Sequence, residues 1–426
     1  MKKMIAMISA LALSLSLAGC GLFDGLDLPP FPTVTPQPTP SPSATAAPSP
    51  TPSPAPQKAD NISLSINRHV QQAMDPQNGT QLILSFSYDS PRVYIDGMDA
   101  VTTIINEQLA ISDEEFYSGN DYGQDGSVYG YNDMLTAAED NYLFLTENQI
   151  EGQYELSATR SVNAKRIDDR LLSVTMEDYY YTGGAHGMTV LSGMNFDTRT
   201  GQLLSLEDLS PDYEALSAFL TETMLSQVQA DPELAARMDV VQPQEYEAAL
   251  AALLRQRSWY FDDRGLNIFS DVYELGSYAA GMLELNIPYE QLKGHIDDSF
   301  LPQPLNGEGT VQVMTEEEIG QTATNVIDKL SVSEEGQQLF ILGNGTVRDV
   351  QVVSGNWSDR FYPTGLLWAG SDLENKALQI QCVLSQGMPQ LKISYTDMLG
   401  SHELYLSQDA EGRAALVPAD QVAAVG

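Results

Sequence analysis

The chain has 426 residues, with 21 Lys+Arg against 58 Asp+Glu and a formal net charge of -37. At 42% hydrophobic and 8% aromatic it has the composition of a globular protein, which excludes wholesale disorder. So acidic a surface has no basic stripe to neutralise phosphates; it excludes nucleic acid as a partner, repels anionic membrane surfaces, and serves either simple solubility outside the cell or the attraction of a cationic ligand.

Residues 1–20, MKKMIAMISALALSLSLAGC, read as an export signal: Lys2 and Lys3 open it, and Ile5 to Leu17 form its apolar run. That run falls short of the roughly 20 residues of a transmembrane helix, and no second segment long and apolar enough to span follows. Leu17-Ala18-Gly19-Cys20 resembles the lipobox of bacterial lipoproteins, which implies cleavage before Cys20 and diacylation of its thiol. Two acyl chains anchor stably where one binds only marginally. The expectation is an extracytoplasmic lipoprotein of a bacterium, held in the bilayer through lipidated Cys20. Residues 21–60 then form a spacer; from Leu28 to Pro56, proline recurs among Ser, Thr and Ala. Such a segment favours extended polyproline II, about 3.1 Å per residue, a semi-rigid stalk long enough to lift a folded region off the membrane.

Beyond the spacer, ISLSINRH and TQLILSFSYDSPRVYI alternate as half-buried antiparallel strands. Met98 to Leu109 and Met134 to Leu145 space their apolar residues as helices. Alternation returns in YELSATRSVNAKR, RLLSVTMEDYYYTGG and HGMTVLSGMNFDTRTGQLLSL, with Asp197 to Gly201 as a hairpin turn. Ser210-Pro211 reads as a helix start, with Tyr213, Leu216, Leu220 and Met224 as its buried stripe, and a second helix covers about Gln244 to Gln256. WYFDDRGLNIF reads as a hairpin, and YAAGMLELNIPYEQL as a strand and a helix start. After Leu301 a helical segment, TEEEIGQTATNVIDKL, precedes six short strands with Gly/Asn turns, among them ALQIQCVLS, where Cys382 reads as a small buried hydrophobe. The fold class is therefore α+β, mostly antiparallel sheets with packed helices, plus a smaller β-rich C-terminal domain. The expected domains are 61–185, 186–300 and 301–426.

For chemistry the chain offers little. His69, His186, His295 and His402 show no metal-ligand spacing, and no CxxC, nucleophile elbow or phosphate loop is present, so neither metal nor cofactor is expected. The loop NDYGQDGSVYGYND fails as an EF-hand, with Gly123 and Asn132 where ligands are needed; weak calcium binding near Asp121 stays open. Tyrosine beside glycine recurs at Tyr117, Tyr122, Tyr129 and Tyr131 and in YYYTGGAHGM, a combination that recognition loops use. In that last stretch Tyr179, Tyr180, Tyr181, Gly183, Gly184 and His186 are candidates for a ligand-binding loop or for a structural turn needing positive φ, with His186 tying the turn to neighbouring backbone.

YYYTGGAHG, followed by MNFDTRTGQLLSLEDL and closed by the Tyr-x-x-Gly-x-Tyr-Ala-x-Gly run of VYELGSYAAG, resembles a pair of exported bacterial domains of unknown function. The pair is similar to the ectodomain of RsiV-type lysozyme-sensing anti-sigma factors and, in its first half, to the accessory region of some peptidoglycan deacetylases. The resemblance covers Ile62 to Ile296 and implies a mixed domain that binds an envelope ligand without catalytic residues of its own. In the sensing family that ligand is lysozyme, a basic protein, which suits the charge here. The expected function is thus a cell-surface, non-enzymatic ligand-binding lipoprotein for lysozyme, another cationic protein or a cell-wall fragment. A peptidoglycan-acting enzyme and a structural factor of a surface complex are the alternatives.

Overall fold

Apolar–polar alternation builds the first hairpin, β1 (Ile62–Met74) and β2 (Leu82–Ile95), paired antiparallel from end to end. Asp75 closes its turn: the carboxylate accepts hydrogen bonds from the backbone amides of Gln77, Asn78, Thr80 and Gln81. The computed structural model describes residues 61–121, 127–152, 154–322, 324–385, 387–409 and 411–422. Cys20, the spacer, Tyr122 and most of the loop considered for calcium lie outside them.

Two helices follow, α1 (Asp99–Ser118), longer than its apolar spacing predicts, and α2 (Tyr131–Glu147), with the short strands β3 (Asn120–Asp121) and β4 (Ser127–Val128) between them. They carry the chain to β5 (Leu156–Ile167), which pairs with β2 in parallel, and then to β6 (Leu171–Tyr181) and β7 (Met188–Asp197), an antiparallel meander. On one face of these strands, Ile105 and Leu109 of α1 pack against Leu64, Val93, Val162 and Val174. Phe116, Met134 and Ala138 extend that layer over Phe86, Ala158 and Tyr180.

A register shift between Ala164 and Arg166 re-aims Arg166 to the opposite face, where it donates to the Tyr289 hydroxyl (2.9 Å) and the Phe300 carbonyl (2.6 Å). That face is covered by a unit made of α3 (Tyr213–Ala230), α4 (Pro232–Arg237), α5 (Tyr246–Ala252), a three-stranded sheet and α6 (Tyr289–Leu292). Its strands are β8 (Trp259–Phe261), β9 (Gly265–Phe269) and β10 (Glu284–Pro288). Leu216, Leu220, Met224 and Val228 of α3 meet Trp259, Phe261 and Ile287 in its core. The helix starts two residues beyond Ser210-Pro211. Its cap is Asp212, whose carboxylate accepts from the Ala215 amide at 3.0 Å and adds a negative charge at the positive end of the helix dipole.

The C-terminal region is β-rich. Only one turn of the expected helix forms, α7 (Glu316–Ile319), boxed by Thr315 and Glu318 after β11 (Gly309–Thr315). Past Gly320 the residues Asn325-Val326-Ile327 join a strand instead, β12 (Asn325–Ser331), because β-branched residues lose side-chain freedom in a helix and pack well in a sheet. Then come β13 (Gln337–Gly345), β14 (Arg348–Trp357), β15 (Phe361–Asp372), β16 (Lys376–Cys382), β17 (Leu391–Asp397), β18 (Gly400–Gln408), β19 (Ala414–Val417) and the terminal turn α8 (Ala419–Val422). Strands β11, β13, β16 and β12 form a four-stranded sheet. The other five join the N-terminal strands in one ten-stranded sheet, β19-β18-β17-β14-β15-β1-β2-β5-β6-β7. This sheet runs across both expected domain boundaries, through β6–β7 at 185/186 and through β15–β1 beyond 300. Cys382 is buried against the four-stranded sheet's neighbours, and burial pushes its thiol up to about 11. Among the described residues no helix is long and apolar enough to cross a membrane.

Candidate functional site

Strand β6 delivers the three tyrosines with alternating fates. Tyr180 faces the helices, only 4% exposed, its ring centroid 5.8 Å from that of Phe116. Burial pushes its phenol far above the ordinary range, and the hydroxyl has no protein partner. It belongs to the core. Tyr179 and Tyr181, half-buried, belong to the turn. The Tyr181 hydroxyl donates to the Gly184 carbonyl at 3.1 Å, closing the loop on itself. Gly183 and Gly184 have φ of +95° and +96°, a backbone region that side-chain-bearing residues rarely enter. Gly187 lies so close to the Tyr179 ring that a Cβ there would fall 2.4 Å from it.

The turn presents His186 outward. Nδ1 is 3.0 Å from the carbonyl of Gly187, the next residue, so the tie to backbone is made to the turn itself. The longer-range contact is made by the ring, stacked on Tyr278 with centroids 3.7 Å apart and planes 19° from parallel. Nε2 is 3.5 Å from the Tyr273 hydroxyl, and the two tyrosine rings lie 5.8 Å apart. Three rings from segments almost ninety positions apart thus form one exposed platform; Tyr273 is 48% and Tyr278 36% exposed. Tyr273 holds φ at +69° without being glycine, a strained conformation of the kind that accumulates at functional sites. The loop beneath is pinned by charge. Asp239 accepts from the Ser277 amide at 2.6 Å, and that bond holds its carboxyl below the usual range. Arg255 pairs with Asp271 and Glu274, and Arg237 donates to the carbonyls of Ala280 and Met282.

Such a platform can bind but is poorly equipped to react. The hydrogen-bonding neighbours of His186 are a carbonyl and a phenol, whereas nucleophilic catalysis needs a nucleophile and a base in contact. The other histidines also lie against aromatic rings: His69 on Tyr88, His295 on Phe219, and His402 on Tyr395. Among the described residues no group of three or more His, Cys, Asp or Glu is placed to hold a metal ion. Of the other candidate tyrosines, Tyr117 and Tyr131 stack on each other, and Tyr129 is exposed. Sequence reading missed Tyr273 and Tyr278 as site residues, although both sit in the Tyr-x-x-Gly-x-Tyr-Ala-x-Gly run that carried the family resemblance.

Residues 208–290 match the family described as protein of unknown function, DUF3298. The chain carries a domain of unknown function. It spans α3 to β10 and contributes Tyr273 and Tyr278, while His186 comes from the meander outside it. A crystal structure of a DUF3298 family member from Bacteroides fragilis is 18% identical, covers 56% of this chain and 94% of its own, and superposes with a TM-score of 0.42. A DUF3298 family protein from Pseudomonas aeruginosa is 17% identical, covers 56% of this chain and 97% of its own, with a TM-score of 0.35. No curated protein matches.

Proposed function

We propose that the chain is a cell-surface lipoprotein whose folded region is a non-enzymatic envelope ligand-binding module, with the His186–Tyr273–Tyr278 platform as its contact surface for a cationic protein such as lysozyme. One observation carries the reading: two separate loops meet to hold exposed rings in a fixed, strained arrangement. Rigid aromatic side chains at the centre of an interface supply much of its binding energy. Their faces attract lysine and arginine side chains, and the net charge of -37 steers a basic partner towards the surface.

Binding of a basic lysozyme to the full-length protein, measured by surface plasmon resonance at low and high salt, tests this. The expected result is a complex whose on-rate falls as salt rises, and which Tyr278→Ala weakens by about tenfold or more, the loss typical of a central aromatic contact. Absence of a complex at low salt, or a complex indifferent to Tyr278→Ala and Tyr273→Ala together, overturns the assignment.

A further inference from the structure

A cleft of about 410 Å³ opens between α1 and the β1–β2 hairpin. Its walls follow from two periodicities. Tyr88, Ser90 and Arg92 alternate onto one face of β2, with His69 opposite Tyr88 on β1. Asp113 and Glu114 lie four and three positions before Tyr117, along one stripe of α1.

The charges in this cleft are incompletely matched. Asp113 is only 8% exposed; its Oδ2 accepts from the Ser90 hydroxyl at 2.5 Å, while its buried Oδ1 has no hydrogen-bond partner within the protein. Leaving a buried carboxylate oxygen unpaired is costly, and burial pushes the Asp113 carboxyl up in pKa. Opposite it, Arg92 donates through Nη1 to the Pro91 carbonyl at 2.8 Å and reaches Asp113 only at 3.4 Å, with its side chain 43% exposed. Glu114, on the same stripe, is exposed, and its carboxylate accepts from the Ser118 hydroxyl one turn on. The His69 ring stacks on Tyr88 with centroids 4.6 Å apart, and Tyr117 stands 6.3 Å from Tyr88, so the polar groups sit beside an aromatic wall. Arg160, behind Asp113, forks onto Asp178 at 2.6 and 2.7 Å while its charge also acts on Asp113 without a hydrogen bond between them.

We propose that this cleft is a binding site for a small zwitterion of the α-amino-acid class. Arg92 receives the carboxylate, Asp113 with Glu114 receives the ammonium, and the Tyr88–His69 stack packs against the side chain. Ligand charge decides the class. A simple anion would meet two carboxylates and a simple cation would meet Arg92, whereas a zwitterion satisfies both. The volume lies near the lower end of small-ligand pockets, which suits one or two residues rather than a polymer. This site shares no residue with the aromatic platform, so either assignment stands or falls alone.

Isothermal titration of the full-length protein in detergent with a panel of free amino acids tests the proposal, with alanyl-alanine, acetate and methylammonium as further arms. Saturable one-to-one binding of at least one amino acid is expected, weakened about tenfold or more by Arg92→Met and by Asp113→Asn, as for loss of one charge-assisted contact. Because Asp113 is buried, Glu114→Gln on the exposed part of the stripe serves as a second ammonium-side variant, each variant first checked for native circular dichroism. Binding of the dipeptide with no free amino acid bound overturns the amino-acid assignment. The proposal fails if no zwitterion binds up to about 10 mM, weaker than any ordinary site. It fails equally if acetate or methylammonium binds as tightly as the amino acid, or if folded Arg92→Met binds like the wild type.

Discussion

The ten-stranded sheet carries three covers, the α1–α2 layer, the α3–α6 unit and the four-stranded sheet, and the first and last of these differ in what they bury. Where α1 and α2 lie over β2, β5 and β6, the protein hides charge: Asp113, Arg160 and Asp178 are all buried there. Where the four-stranded sheet lies over β14, β15 and β17, the interior is Leu339, Ile341, Val350, Val352, Trp368, Ile380 and Ile393. Sheet-on-sheet packing interlocks alternate side chains across a uniform gap of about 10 Å and leaves little room for polar groups. Helices on a twisted sheet leave wedges at their edges, and one such wedge is the Arg92–Asp113 cleft. The proposed amino-acid cleft thus lies beside the buried charges under α1, while apolar side chains fill the sandwiched part.

The sharpest break in this contrast is expected at Arg160, which is 7% exposed, forks onto Asp178, donates to the Ser112 carbonyl and lies over the Phe116 ring. Arg160→Met strands the Asp178 carboxylate and should lower unfolding stability by ~3–5 kcal/mol in urea titrations. Adding Asp178→Leu should recover much of that loss; a double variant no better than the single one would show that the pair is not the source. In the sandwiched half, Ile393→Val removes one methylene equivalent from a fully buried position and should cost ~0.5–1.5 kcal/mol in the same titration. A loss as large as that at Arg160 would erase the distinction between the halves.

The last comparison concerns the one buried charge of the sandwiched half among the described residues, Asp397. The Gly309 amide, and after it His402, holds its carboxyl down at about 2. A carboxyl depressed in the folded state adds stability above its unfolded value of about 4, and that contribution is lost as pH falls towards the folded value. Melting temperature measured from pH 6 down to 2 should therefore fall more steeply for the wild type than for Asp397→Asn, with the difference confined to the range below about pH 4. Parallel curves would assign the acid sensitivity elsewhere, with Asp75 and its cage of amides the next candidate.

Much of the fold was legible because its causes are local. Side-chain alternation marks β1, β2, β5, β6 and the C-terminal strands, and apolar spacing marks α1, α2 and α3. The Gly183-Gly184 turn follows from a backbone conformation that glycine alone tolerates cheaply. Errors arose where neighbouring residues compete for the same role: Asp212 against Ser210 as a helix cap, and strand pairing against helix in Asn325 to Ser331.

Sequence by itself thus determined the class of the fold, the identity of most elements and the acidic character of the surface, since each depends on residue type and short-range period. Tertiary structure alone decided that β1 pairs with β15 across some three hundred positions, because backbone hydrogen bonds in a sheet carry no residue code for the partner. It also decided that His186 meets Tyr273 and Tyr278, and that Arg92 faces Asp113 across a cleft. Both proposed sites are built from side chains on elements that meet only once the sheet has formed.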